Sequence, residues 1–292
     1  VGKFSGTGIR IHWSGIYGTN QLDNHDYSVD CGIRGETAGE NAWRGVDRIY
    51  IYLVQSHWDC TFFMRCYNKG ELCLGGIREM AYSMIHLEVA YRLLNKWDWI
   101  KNPGDFLVGA VAPDAVHFCE NYEIQMKEKS HIWNCGPRWG ITEDPDKWED
   151  NAMRFWEENK GADNRDFIAG YCVHILTDIQ SALKIWKPFQ EENIKGTNVE
   201  EAYHIYGKEA YESDQWLYQT SPHSRRIMEL LASGSAYPIA DCIGKQEIEK
   251  KIQYMLTEEY VKKEIYDISG FRYCNDKVIL GFIKFKNSIS LF

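Results

Sequence analysis

The chain has no apolar run approaching the roughly 20 residues that a membrane-spanning helix needs, and no CxxC step occurs in its 292 residues. Nine cysteines at loose spacing do not make the disulfide framework of a small secreted domain. Free thiols in a reducing compartment are the expectation, and with them a cytoplasmic location. The opening VGKFSGTGIR lacks the basic-then-apolar order of a secretory signal. Positive charge is also scarce: 33 Lys and Arg stand against 42 Asp and Glu, a net charge of -9. Stable nucleic-acid binding and a polybasic membrane surface both need a positive face, so neither is expected. Phosphate-bearing substrates stay open, because bound cations can supply positive charge locally. Internal repeats and low-complexity tracts are absent as well.

What is present changes character near Met80. Residues 1–79 carry half of the 24 glycines and show no sustained helical period. DRIYIYLVQ (47–55) reads as one strand. Two explanations compete for this segment. It is a small extra domain, irregular or partly β, or the native chain starts at Met80. GGIREM (75–80) is what a purine-rich ribosome-binding sequence before a start codon encodes when read through in frame. No function is assigned to residues 1–79, and His25-Asp26 and the His57/Asp59 pair are read as incidental.

From Met80 onward, helical periodicity dominates. AYSMIHLEVAYRLLNKW (81–97) gathers Glu88, Arg92, Asn95 and Lys96 on a polar side and His86, Ala90, Leu93 and Leu94 on the opposite one. His86 therefore faces inward, as a hydrogen-bonded core histidine or as a ligand. In KNPGDFLVGAVAPDAVHF (101–118), Asp105 is expected to cap a short helix that Pro113 stops. Asp114 follows, where a turn would aim it back at the bundle, although Asp after Pro is also common turn chemistry. His117 and Glu120 lie beside it as supporting or surface groups. His131 sits in KEKSHIW, between a charged stretch and an apolar step. NCGPRWGITEDPDKWED (134–150) reads as a loop, with Trp133, Trp139 and Trp148 as cleft walls or as packing.

The most informative segment is GYCVHILTD (170–178), within a helix expected over 166–187. Ile168, Cys172, Ile175, Ile179 and Leu183 share its apolar face, while His174 and Asp178 share another stripe flanked by Gly170 and Ser181. Positions i and i+4 stand about 6 Å apart on a helix. That spacing lets an imidazole and a carboxylate reach one cation together, or bond to each other. Further helices are expected over 198–218, over 221–234 with a closing Gly, and over 244–266. The tail 277–292 suits a strand or a helix equally.

Four features occur in order: an inward His near a helix start, APD, SH and GYxxHxxxD. On MIHLEVAYRLL, FLVGAVAPDAVHF, KSHIW and GYCVHILTD, with a weaker continuation at YGKEAYESDQWLY, residues 80–220 resemble the zinc-dependent phospholipase C family. Its superfamily includes the single-strand-specific zinc nucleases. The resemblance implies an all-α, multi-helix bundle. It implies that Asp114, His131, His174 and Asp178 hold one zinc, that Asp178 bridges to a second zinc also bound by His86, and that Asp114 acts on the attacking water. The sequence departs from the secreted members in two places. It offers no free N-terminal tryptophan ligand, and at the third zinc site Gln180, Lys184 and Ala210 stand where ligands would be. Two ions are therefore expected and a third is doubtful, with Asp214 as an additional carboxylate.

The expected activity is phosphoester hydrolysis on a small phosphoester or phospholipid headgroup. Two readings compete with it. A helical HD-type phosphohydrolase needs an adjacent His-Asp pair in its core, and His25-Asp26 lies before the seam. A non-catalytic helical scaffold with a degenerate metal site belongs to a different class. Protein partners are not legible.

Overall fold

A computed structural model describes side chains over 82–120, 122–193, 201–239, 242–261 and 264–284. It describes 199–200 and three strands before residue 74 by backbone alone. The chain divides into two compact units, 1–77 and 78–292. In the first, β1 (Val46–Ser56), β2 (Asp59–Asn68) and β3 (Glu71–Cys73) form an antiparallel meander in the order β1-β2-β3. The strand expected at 47–55 is β1, and two further strands follow it. His25, Asp26, His57 and Met80 lie outside the described residues.

The second unit is helical throughout its named elements. They are α1 (Ser83–Leu94), α2 (Pro103–Gly109), a 3-10 turn (Pro113–Phe118), α3 (Ile124–Ser130), α4 (Pro145–Asn159) and α5 (Arg165–Ser181). A π-helical turn (Ala182–Trp186) joins α5 to α6 (Lys187–Asn193), and α7 (Val199–Thr220) and α8 (Ser224–Ser233) follow. Then come α9 (Lys245–Tyr254), a second π-helical turn (Met255–Glu259) and α10 (Asp276–Ile283). The undecided tail is thus helical where it is described. No helix among the described residues is long and apolar enough to cross a membrane. Cys119, Cys135, Cys172, Cys242 and Cys274 are free thiols.

Helix α5 is the axis of the bundle. It packs against α1, α2 and α4, and its residues from Asp166 to Ile179 are buried. The stripe carrying His174 and Asp178 therefore faces other helices rather than water. Burying each large apolar side chain contributes about 1.5–3 kcal/mol, and Phe167, Val173 and Ile175 have no exposed surface. The crossing with α2 is made backbone to backbone. A Cβ on Gly170 would lie 1.9 Å from the Phe106 carbonyl oxygen, and one on Gly109 would lie 2.0 Å from that of Phe167. Only glycine permits that approach.

Two carboxylates hold chain segments outside their own helices. Asp166, in the first turn of α5, accepts from the backbone N–H of Lys101 (2.9 Å) and Asn102 (2.6 Å), just before α2. Asp105, expected to cap α2, instead accepts from Ser235 N–H at 2.8 Å and from the Tyr237 hydroxyl at 2.9 Å, tying α2 to the chain beyond α8. On the polar side of α1, Asn95 and Lys96 are exposed, but Glu88 is not. Glu88 is fully buried and accepts from Arg92 (2.5 Å), Ser221 (2.8 Å) and His223 (2.9 Å).

The loop expected over 134–150 gives way to α4 at Pro145. Asp144 accepts from Lys147 N–H at 3.0 Å, and proline occupies the first turn, where its missing N–H costs nothing. Trp133, Trp139 and Trp148 are buried and meet edge to face, with centroids 5.9 Å apart for 133–139 and for 139–148. They pack around His131 rather than walling a cleft.

Candidate metal centre

His86 comes from α1, Asp114 from the 3-10 turn, His131 from the C-cap of α3, and His174 and Asp178 from α5. All five are buried, none more than 3% exposed. Their donor atoms converge. His131 Nε2 and His174 Nε2 are 3.2 Å apart. Asp114 Oδ1 is 3.3 Å from His131 Nε2, and Asp114 Oδ2 is 3.9 Å from His174 Nε2. Asp178 Oδ2 is 3.4 Å from His131 Nε2 and 3.6 Å from His174 Nε2, while Asp178 Oδ1 is 3.4 Å from His86 Nε2. Ligands held about 2.0–2.2 Å from one tetrahedral ion sit roughly 3.3–3.6 Å from each other. Most of these separations are the edges of such a polyhedron.

The backbone sets the tautomers. His174 Nδ1 lies 2.8 Å from the Ala110 carbonyl, a contact made available by the Gly109/Gly170 crossing. His131 Nδ1 lies 3.0 Å from the Lys127 carbonyl and 2.8 Å from Ser130 Oγ. With both rings neutral, each Nδ1 carries its proton toward a carbonyl and each Nε2 presents a lone pair to the other. The facing lone pairs, 3.2 Å apart, are then relieved by a shared cation, or by a proton on His174, whose pKa Asp114 and Asp178 raise against burial.

Helix α3 ends so as to aim His131. Trp133 N–H reaches the Glu128 carbonyl at 2.8 Å, and Ile132 N–H reaches that of Lys129 at 3.1 Å. This paired closure places Ile132 at the left-handed position, φ 53°. A β-branched residue there is strained by roughly 1–2 kcal/mol. Trp148 Nε1 donates to the His131 carbonyl at 2.8 Å, and the Tyr171 hydroxyl donates to that of Ser130.

The second half of the cluster is less satisfied. Neither ring nitrogen of His86 has a hydrogen-bond partner, and neither does Asp178 Oδ1. The His86 ring stacks on His174 at 3.7 Å, nearly parallel. Burial, then the His174 charge, lowers the pKa of His86, and burial brings His131 down to about 4. Burial pushes both carboxyls up, but the surrounding groups win. Lys127, His174 and His131 hold Asp114 well below the usual carboxylate range, and the adjacent imidazoles of His174 and His86 lower Asp178. The site therefore offers ionised carboxylates and two imidazoles that resist protonation, while Asp114 and Asp178 outweigh burial and raise the pKa of the third, His174. Carboxylates and imidazoles are the donor types divalent zinc takes.

Two groups of donors emerge, Asp114–His131–His174 and His86–His174–Asp178. Among the described residues no third group gathers. Asp214, expected as an additional ligand, belongs to neither. Its Oδ1 accepts from Met84 N–H (2.9 Å) and Ile85 N–H (3.2 Å), and its Oδ2 from the Tyr260 hydroxyl (2.6 Å). It caps α1, the helix that carries His86.

Lys127 is the neighbour that sequence reasoning passed over. It is 3% exposed, and its Nζ lies 3.3 Å from Asp114 Oδ1 and 3.3 Å from His117 Nε2. Its position four residues before His131 on one helix face was the available signal. His117 is exposed, and Glu120 is at the surface. Comparison with models of known protein families, with curated proteins and with solved structures finds no match to this chain.

Proposed function

We propose that the chain is a metal-dependent phosphoester hydrolase of the phospholipase C type that its sequence resembles, holding two zinc ions. The observation that supports this reading is a pair of buried atoms without a hydrogen bond, His86 Nε2 and Asp178 Oδ1. They face each other at ion-pair distance, 3.4 Å, while burial lowers the His86 pKa and so works against the charged pair. A buried carboxylate beside a neutral imidazole without a hydrogen bond costs on the order of a few kcal/mol. Bound cations would satisfy them, with Asp114, His131, His174 and Asp178 at one position and His86 and Asp178 at the other. A pair of such ions supplies an acidified water and neutralises phosphate oxygens.

The residues divide the remaining tasks. Asp114 is kept ionised by Lys127, so its carboxylate can take a proton from the attacking water as the water oxygen bonds to phosphorus. The bond from phosphorus to the ester oxygen breaks, and the leaving oxygen is protonated from solvent. Ala110 and Lys127, through their carbonyls, keep His174 and His131 from turning away.

Deep burial favours one other reading. Donors at most 3% exposed suit a metal that cross-links α1, α3 and α5 without turnover, in a helical scaffold. Incubating the zinc-loaded chain with nitrophenyl esters of phosphate separates the two. Hydrolysis that is lost with a chelator and in Asp178→Ala supports the enzyme. A zinc-loaded wild type inert toward phosphomonoesters and phosphodiesters alike supports the scaffold.

A further inference from the structure

Lys127 is a buried cation set between the surface and the donor cluster. On one side its ammonium faces His117, which is exposed, and on the other Asp114, each at 3.3 Å. It also lies over the Trp139 ring, 5.4 Å from the centroid, and Trp139 in turn meets the edge of His131. A lysine buried to this degree normally neutralises a carboxylate. Here the same carboxylate is wanted by a metal ion.

Charge bookkeeping makes the lysine informative. Two carboxylates, Asp114 and Asp178, face two divalent cations and one ammonium, an excess of about three positive charges in a buried site. A doubly charged phosphate group offsets most of that excess, and a singly charged diester offsets much less. Resting on the hydrolase reading, we propose that Lys127 is an anion-contacting residue that makes the site hold dianionic phosphates, a phosphomonoester substrate or the phosphomonoester left by cleavage of a diester, more tightly than phosphodiesters. Its ammonium donates to the ligand's oxygen from the side of His117, while Asp114 stays on the metals.

The test uses binding rather than turnover. Zinc-loaded full-length chain is titrated calorimetrically with inorganic phosphate and with dimethyl phosphate, at a pH where the first is largely dianionic. Phosphate is expected to bind about tenfold tighter or more. Lys127→Met is expected to abolish most of that preference while zinc content stays unchanged. Lys127→Gln, which keeps a donor toward Asp114 and His117, takes its place if Lys127→Met does not retain zinc. Equal affinities in the wild type overturn the proposal, and so does an undiminished preference in a zinc-loaded Lys127 variant. A wild type that takes up no zinc strikes earlier, at the metal-centre reading itself.

Discussion

The Nε2 atoms of His131 and His174 lie 3.2 Å apart, each ring anchored through Nδ1 to a backbone carbonyl. Their sequence positions are 43 residues apart, and the contact depends on how closely α5 approaches α2. Gly170→Ala tests this. Its Cβ would sit 1.9 Å from the Phe106 carbonyl, so the helices must separate and the Ala110–His174 contact must lengthen. The variant should lose about 2–3 kcal/mol by urea unfolding. It should also release zinc to a competing chelator at least about tenfold more readily than wild type. Unchanged zinc affinity would show that the crossing does not orient His174.

The two proposed positions share Asp178 and differ in the residues that complete them. His86→Ala should lower bound zinc from about two to about one per chain, because only the second position depends on it. Asp178→Ala should empty both positions, since its two oxygens face different histidines. Elemental analysis of the folded variants checks the order. Equal losses in the two would contradict the assignment of two distinct positions.

Asp214 gives a pH dependence with a definite sign. Burial, then the charge of Glu259, raises its carboxyl to about 8, against roughly 3.9 when unfolded. The native state thus binds this proton more tightly. The stabilisation is complete below about pH 4 and is lost as pH rises through about 8. Urea unfolding of metal-free protein should show stability falling on the order of 1–3 kcal/mol from pH 5 to pH 8. Asp214→Asn, which can still accept from Met84 and Ile85, should flatten that slope and leave zinc content unchanged. A loss of zinc in this variant would return Asp214 to the ligand set.

The indole of Trp148 supports His131 through a single hydrogen bond of 2.8 Å to its carbonyl. Trp148→Phe keeps most of the packing and removes that donor from a fully buried position. A loss of about 1–3 kcal/mol in unfolding free energy is expected, with zinc stoichiometry intact. A stability equal to wild type would mean that the carbonyl finds another donor.

Periodicity made the main helices legible. His86 and the His174/Asp178 pair could be placed inside before any coordinates, because helical spacing fixes which residues share a face. The start of α4 was not legible in that way. Pro145 reads as a break, yet after a capping Asp144 it opens a helix. The carboxylates that hold helix ends across the bundle were hidden for a different reason. Asp166, Asp105 and Asp214 act on backbone 64 to 130 residues away, and no local pattern encodes such partners. Asp214 looked like a ligand by its place in a tyrosine- and acid-rich helix, and tertiary packing gave it to α1 instead.

All of the chemistry above depends on cations sitting among His86, Asp114, His131, His174 and Asp178. Elemental analysis of protein purified without chelator measures this directly. The account predicts about two zinc ions per chain, removed together with activity by a chelator. Protein that is folded, free of divalent metal and unable to take up zinc on addition would contradict it.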